Sequence, residues 1–157
     1  MQFLKFAFAL AFLIAPFTAR AATEQGTANA EVVTPLAIDE ISTLSFGKFT
    51  VGASGGSIDQ DGSTSGDVNS VAPGNKGQFA VTGAPNTTYS TAGSDAMVAL
   101  EEDGPGTATM NASLNYPATP SLNGLGQSLL EVGGSLTVPG STPGGSYSGT
   151  YNMTVNY

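Results

Sequence analysis

Ala108-Thr109-Met110-Asn111-Ala112-Ser113-Leu114-Asn115-Tyr116 is the stretch that decides the fold. Its even positions are Ala, Met, Ala, Leu and Tyr, and its odd positions are Thr, Asn, Ser and Asn. Side chains on a strand point alternately to opposite faces, so this period-two pattern predicts a half-buried β-strand with one wet face. Working outward, Leu130, Val132, Gly134, Leu136 and Val138 repeat the pattern. So do Tyr147, Gly149, Tyr151, Met153, Val155 and Tyr157 at the C-terminus.

Weaker strands are expected over Thr27 to Ile38, Leu44 to Val51, Gly56 to Gln60, Gly77 to Thr82, Thr87 to Thr91 and Ala96 to Glu101. In the second of these, Leu44 and Phe46 have one parity and Phe49 and Val51 the other. A bulge at Gly47, between them, would let all four face one core. Turn signals separate the strands: Gly55-Gly56, Asp61-Gly62, Pro73-Gly74, Asp103-Gly104-Pro105-Gly106, Pro139-Gly140 and Pro143-Gly144-Gly145. Glycine supplies positive φ and proline a fixed one. No helical period follows the N-terminus. Many short strands with Gly/Pro turns predict an all-β, antiparallel, immunoglobulin-like β-sandwich.

The N-terminus reads differently. Met1 to Lys5 carries one positive charge, and Phe6 to Ala15 is an apolar run closed by Pro16. Ala19-Arg20-Ala21 then offers small residues at the −3 and −1 positions of a cleavage site. This predicts a signal peptide over residues 1–21, cleaved after Ala21 or Ala22, and a single domain over 22–157. The apolar run is about half the roughly 20 residues that a spanning helix needs. The mature chain is therefore expected to be secreted, to the periplasm or the bacterial cell surface, with no membrane-spanning helix.

Cleavage removes Lys5 and Arg20 and leaves Lys48 and Lys76 against twelve carboxylates, a net charge of 2 − 12 = −10. Two lysines cannot build a phosphate-binding face, so nucleic acid and anionic membrane surfaces are excluded as partners. The chain has no histidine and no cysteine, and mature arginine is absent. That removes Ser-His-Asp and Cys-His catalysis, thiolate nucleophiles and the bidentate carboxylate clamp. Two carboxylates suffice for a glycosidase. However, Asp39-Glu40 and Glu101-Glu102-Asp103 sit beside turn signals, where acids are ordinarily solvated. No catalytic residue and no organic cofactor are expected. The metal candidate is Asp59 and Asp61 in an Asp-Gln-Asp-Gly run, with Asp67 beyond, arranged like the opening of a calcium loop. It lacks that loop's terminal Glu and flanking helices, and Asp-Gly is equally a hairpin turn.

Several elements taken in order resemble the domain-of-unknown-function 4402 family, small secreted proteins of Gram-negative bacteria. They are Ala30 to Ile38, Leu44-Ser45-Phe46-Gly47, Gly55-Gly56 with Asp61-Gly62, Phe79 to Gly83, Val132 to Val138, and the ending Gly145 to Tyr157. The resemblance implies an exported β-sandwich domain and brings no catalytic residues. The ending is also similar to that of chaperone–usher pilins: an alternating strand, a tyrosine near the terminus and a glycine, here Gly144, fourteenth from the end. Tyr157 stands last where those proteins place it next to last, and the disulfide common in them is missing.

The leading functional expectation is a structural, self-associating cell-surface protein, a fimbrial type of subunit assembling by strand addition. Its interaction strand would present Tyr147, Gly149, Tyr151, Met153, Val155 and Tyr157. Its partners would be further copies or a periplasmic assembly chaperone and usher. Residues 22–34, where Ala28, Ala30 and Val32 alternate with Asn29 and Glu31, would form an exchangeable N-terminal strand, donated to a neighbour or folded in cis. The alternatives are a soluble secreted domain that binds a ligand or calcium, and a small outer-membrane β-barrel of about eight strands.

Overall fold

The computed structural model describes residues 20–157, so nearly all of the expected signal peptide lies outside the described residues. The chain divides after Glu31. Within the first unit, residues 20–31 carry no regular secondary structure and are exposed throughout.

The second unit, Val32–Tyr157, holds eight strands: β1 Ala37–Ser42, β2 Lys48–Asp59, β3 Thr64–Ala72, β4 Gly77–Thr82, β5 Met97–Glu102, β6 Thr109–Asn115, β7 Gln127–Val138 and β8 Tyr147–Ser148. Every pairing is antiparallel, and no helix occurs among the described residues. β7 organises the curled sheet. Its first half, Gln127–Val132, pairs with β4, which carries β1 on its other side. Its second half pairs with both β6 and β2, and these continue into β5–β8 and β3 respectively. The Gly134 N–H marks the changeover, donating to Gln60 Oε1 at 2.8 Å.

The alternating stretches behave as their pattern dictates. In β6, Met110 and Ala112 are buried while Thr109, Asn111 and Ser113 are exposed. In β7, Leu130, Val132, Leu136 and Val138 are buried. The bulge expected at Gly47 is not there: Gly47 adopts φ 77° just before β2 begins, the register from Ser45–Asn75 to Lys48–Ala72 is even, and the extra residue at the shift between Lys48 and Phe49 is Val71 of β3. Phe46 is buried, and Leu44, Phe49 and Val51 pack against the same cluster. Any Cβ at Gly47 would collide with the Ala72 carbonyl, so glycine is required there for space as well as for φ.

Two apolar clusters result. The first gathers Phe46, Ile58, Val98, Met110 and Leu136, and the second Val81, Tyr89, Leu122 and Leu130. A fully buried side chain of this size stabilises the fold by about 1.5–3 kcal/mol before entropy is counted.

Four more expectations need correction. The first strand begins at Ala37, not Thr27, because the polar run before it has too little apolar surface to bury. Thr87 to Thr91 makes only isolated bridges, Thr88 to Ser121 and Ser90 to Asn156. β3 was not expected at all. It pairs with β2 alone and buries only Val68, so its sequence carries almost no alternating apolar signal. Finally, the C-terminal strand is regular only at Tyr147–Ser148. Its partner segment turns through Ala92-Gly93, with Gly93 at φ 90°, and cannot continue a backbone ladder. Side chains take over. Asp95 Oδ2 accepts from the Asn152 N–H at 2.6 Å, and Ser94 Oγ accepts from the Thr154 N–H at 2.8 Å.

Candidate interaction groove

The expected interaction strand is folded along one edge of its own domain. Tyr147 and Ser148 pair with Glu102 and Glu101 of β5. Further on, Asn156 exchanges backbone hydrogen bonds with Ser90 at 2.7 and 2.9 Å, and the Asp95 N–H donates to the Asn152 carbonyl at 2.9 Å. Backbone groups alternate sides along an extended chain. Those of Tyr151, Met153 and Val155 therefore face the other edge, where they make no hydrogen bond among the described residues.

On the same side of the domain the Tyr157 hydroxyl meets the Thr34 carbonyl, and residues 43–51 share a cavity with residues 142–151. Near the C-terminus the strand is sealed by side chains. Met153 and Val155 pack, with Leu36 and Ile38, against the second apolar cluster. Toward Tyr147 the cavity is a groove of about 890 Å³. Val98, Leu100, Met110 and Leu136, all members of or packed against the first cluster, form its floor. Tyr147, Gly149 and Tyr151 line one wall and exposed Lys48 the other.

The tyrosines show how the seam is built. The Tyr147 hydroxyl donates to the Pro143 carbonyl at 2.9 Å, and its pKa is raised by burial and then by the charge of Glu102. Tyr151 reaches across the seam to meet Phe79 of β4 edge-on, with ring centroids 6.2 Å apart. Its hydroxyl is buried without a hydrogen-bond partner among the described residues. Burial, and then the negative charge of Glu40, push its pKa up. Tyr157 is 52% exposed. Its hydroxyl nonetheless donates to the Thr34 carbonyl at 2.6 Å and accepts from the Ala84 N–H at 2.7 Å. Gly83 admits it, since a Cβ there would stand 2.6 Å from that oxygen. Of the six residues, Tyr147, Tyr151, Met153 and Val155 are partly buried, Gly149 and Tyr157 are exposed, and their tasks divide. Three line a groove, two close a seam, and Tyr157 clasps the segment where β1 begins.

The calcium candidates do not converge. Asp59 ends β2, while Asp61 sits in the hairpin turn to β3. Asp61 Oδ1 accepts from the Ser63 N–H at 2.9 Å, and hydrogen bonding from Ser63 lowers its pKa. Asp67 lies in β3 with its carboxylate against Gly52. Among the described residues no group of three or more His, Cys, Asp or Glu is placed to hold a metal ion. The Asp-Gly pair acts here as a hairpin turn.

A second cavity, of about 610 Å³, was not foreseen. Asp59, Gln60, Lys76, Asn115 and Glu131 line it, at the changeover of β7. Lys76 Nζ donates to Glu131 Oε2 at 2.9 Å, and this bond, with one from Gln78, lowers the pKa of Glu131. The pair lies 55 positions apart in sequence, so no local motif announces it.

Fold and seam together define an antiparallel all-β domain with two buried cores, the first of which is flanked by a groove beside the domain's own last strand. Residues 36–157 match the family described as Domain of unknown function (DUF4402), and the chain belongs to that family. No curated protein matches the chain, and no solved structure does. The family match begins just after the Thr34-Pro35 pair, so residues 22–34 stand outside it.

Proposed function

We propose that this protein is an exported, non-enzymatic structural subunit that associates by strand addition at the seam beside its C-terminal strand. The observation that carries this reading is the groove itself, lined by Leu100, Tyr147 and Tyr151, with the unpaired backbone groups of Tyr151 at its end. An added strand would satisfy that edge, and alternate side chains would cover the floor. Of the floor residues only Leu100 keeps part of its surface exposed, and covering it contributes on the order of 1 kcal/mol. On this reading the domain is an immunoglobulin-like sandwich short of one strand, exported through the N-terminal signal to the periplasm or cell surface of a Gram-negative bacterium. There an assembly chaperone or another subunit supplies the missing strand, in a fimbrial type of polymer.

The test uses the mature chain. Light scattering is expected to find species that lengthen with concentration. Gly144 lines the groove, and a side chain there meets no atom within 4 Å, so Gly144→Trp should block assembly while leaving the melting temperature unchanged. A chain that stays monomeric at every concentration, or a Gly144→Trp variant that assembles as well as wild type, would refute the reading.

A further inference from the structure

We infer that the cavity at the changeover of β7 is a binding site for a neutral, polyhydroxylated ligand, a small saccharide. It shares no residue with the groove, so the inference stands apart from the strand-addition reading. Strand register builds the site. Side chains alternate faces along β7, and Glu131, Gly133 and Ser135 share the face opposite buried Leu130, Val132 and Leu136. Ser135 is in register with Asp59 of β2 on one side and with Ser113 of β6 on the other. Three short polar side chains thus form one row, about 10 Å long, across three strands. Gly133 pairs with Asn115 in the next row, and its missing side chain keeps that row low. Gln60 lies over it, with its amide 3.4 Å from where a Cβ would stand. Glu131, held by Lys76 and Gln78, closes the third row. The cavity between these rows, of about 610 Å³, is of the size that takes a small molecule.

The lining keeps hydrogen-bonding capacity of both kinds. Among the described residues its side-chain hydrogen bonds are those of Gln60, Lys76 and Glu131, with Tyr116 bonded outside it, while Asp59, Ser113, Ser135 and Asn115 make none. Gln60 Oε1 accepts from the Gly134 N–H at 2.8 Å, which leaves both donors of its Nε2 free. The cavity therefore offers a carboxylate that only accepts, an amide nitrogen that only donates, and two hydroxyls and an amide that do both. Sugar hydroxyls, which donate and accept, match that set.

Charge and polarity exclude the other classes. Lys76 is engaged by Glu131 at 2.9 Å, so no free cation faces the cavity to hold an acidic ligand. The chain as a whole carries twelve carboxylates against four basic residues. An apolar ligand would strip water from the polar rows and return no hydrogen bonds. At one end Tyr116 and Pro117 add apolar surface, with the Tyr116 hydroxyl tied to the Asp95 carbonyl at 3.1 Å. The C–H face of a pyranose can lie there while its hydroxyls meet the polar row. Asp59 keeps one negative charge, so an amine is the competing ligand.

The test follows the backbone amides of the mature chain by NMR during titration with glucose, galactose, mannose and N-acetylglucosamine, and separately with putrescine. At least one sugar is expected to shift Gly133, Gly134, Ser135 and Asn115 saturably at millimolar concentration, leaving Gly144 and Ser148 of the groove unmoved. Ser113 is exposed at the rim, so Ser113→Trp should abolish those shifts with the melting temperature unchanged. Asp59→Asn keeps the size of the side chain and removes its charge, and should weaken sugar binding roughly tenfold. If Ser113→Trp does not fold, Asp59→Asn decides alone. No saturable shift with any of the sugars, saturation with putrescine only, shifts that fall outside the cavity, or undiminished binding by Asp59→Asn would each overturn the inference.

Discussion

The two ends of the C-terminal strand cover two cores in different ways. Around Met153 and Val155 the strand, Leu36 and Ile38 shut the second cluster, and Leu130 there is 0% exposed. Around Tyr147 and Gly149 the same strand leaves the first cluster facing a groove. The contrast separates a folding task from a binding task within one apolar face. Sealed residues should govern monomer stability, and groove residues should govern assembly.

The largest expected effect is at the sealed end. Leu130→Ala removes a fully buried side chain from a site with no room to collapse, and should cost about 2–5 kcal/mol in urea unfolding of the monomer. A loss below about 1 kcal/mol would mean the second core is not tightly closed. At the open end Leu100 is only half buried, so Leu100→Ala should cost the monomer about 1–2 kcal/mol. Its effect on assembly, read by light scattering, should exceed that of Leu130→Ala among chains that remain folded. Equal effects of the two changes on assembly would erase the distinction between the ends.

Much of this division was hidden in the sequence, for identifiable reasons. Period two told that Tyr147, Tyr151, Met153 and Val155 share a partly buried face, because that depends only on the chain's own geometry, but Gly149 and Tyr157 of the same parity are exposed. It could not tell that Met153 and Val155 pack against the same cluster as Leu36 and Ile38 while Tyr147 and Gly149 border a groove, because that depends on residues over 100 positions away. The change of parity at Gly47 was legible because two apolar pairs of opposite parity flank one glycine, but the bulge itself falls at Val71 of β3, which carries no such signal. β3 was illegible because an edge strand burying only Val68 writes almost no pattern. The Thr34–Tyr157 clasp joins residues 123 apart through a hydroxyl and a carbonyl, and neither has a sequence signature.

That clasp sharpens the comparison at its boundary. Tyr157→Phe removes two hydrogen bonds, to Thr34 and from Ala84, and should cost about 1–2 kcal/mol. It leaves the groove untouched. Limited proteolysis near Val32-Val33 should nevertheless quicken, since the chain before Pro35 is freed. If cleavage and stability are both unchanged, the clasp does not hold that segment.

The smallest effect, and the one of opposite sign, is expected where the sealed and open stretches meet. Tyr151 buries a hydroxyl that has no hydrogen-bond partner among the described residues, which forfeits its hydration without recompense. Tyr151→Phe removes the hydroxyl and keeps the ring against Phe79, so stability should be unchanged or rise by up to about 1 kcal/mol. The pH dependence isolates the cause. Burial, and then Glu40, raise the phenol above its ordinary 10.0, so the folded state favours the neutral form. Stability from this group is complete below the unfolded value and is lost as pH rises past it toward the folded one. The melting temperature of wild type should therefore fall more steeply than that of Tyr151→Phe between about pH 9 and about pH 11. Tyr147 is also raised, and its share of the fall should persist in the variant. Parallel curves for the two proteins would show that the Tyr151 hydroxyl is already solvated, and that the seam is open along its middle as well as at the groove.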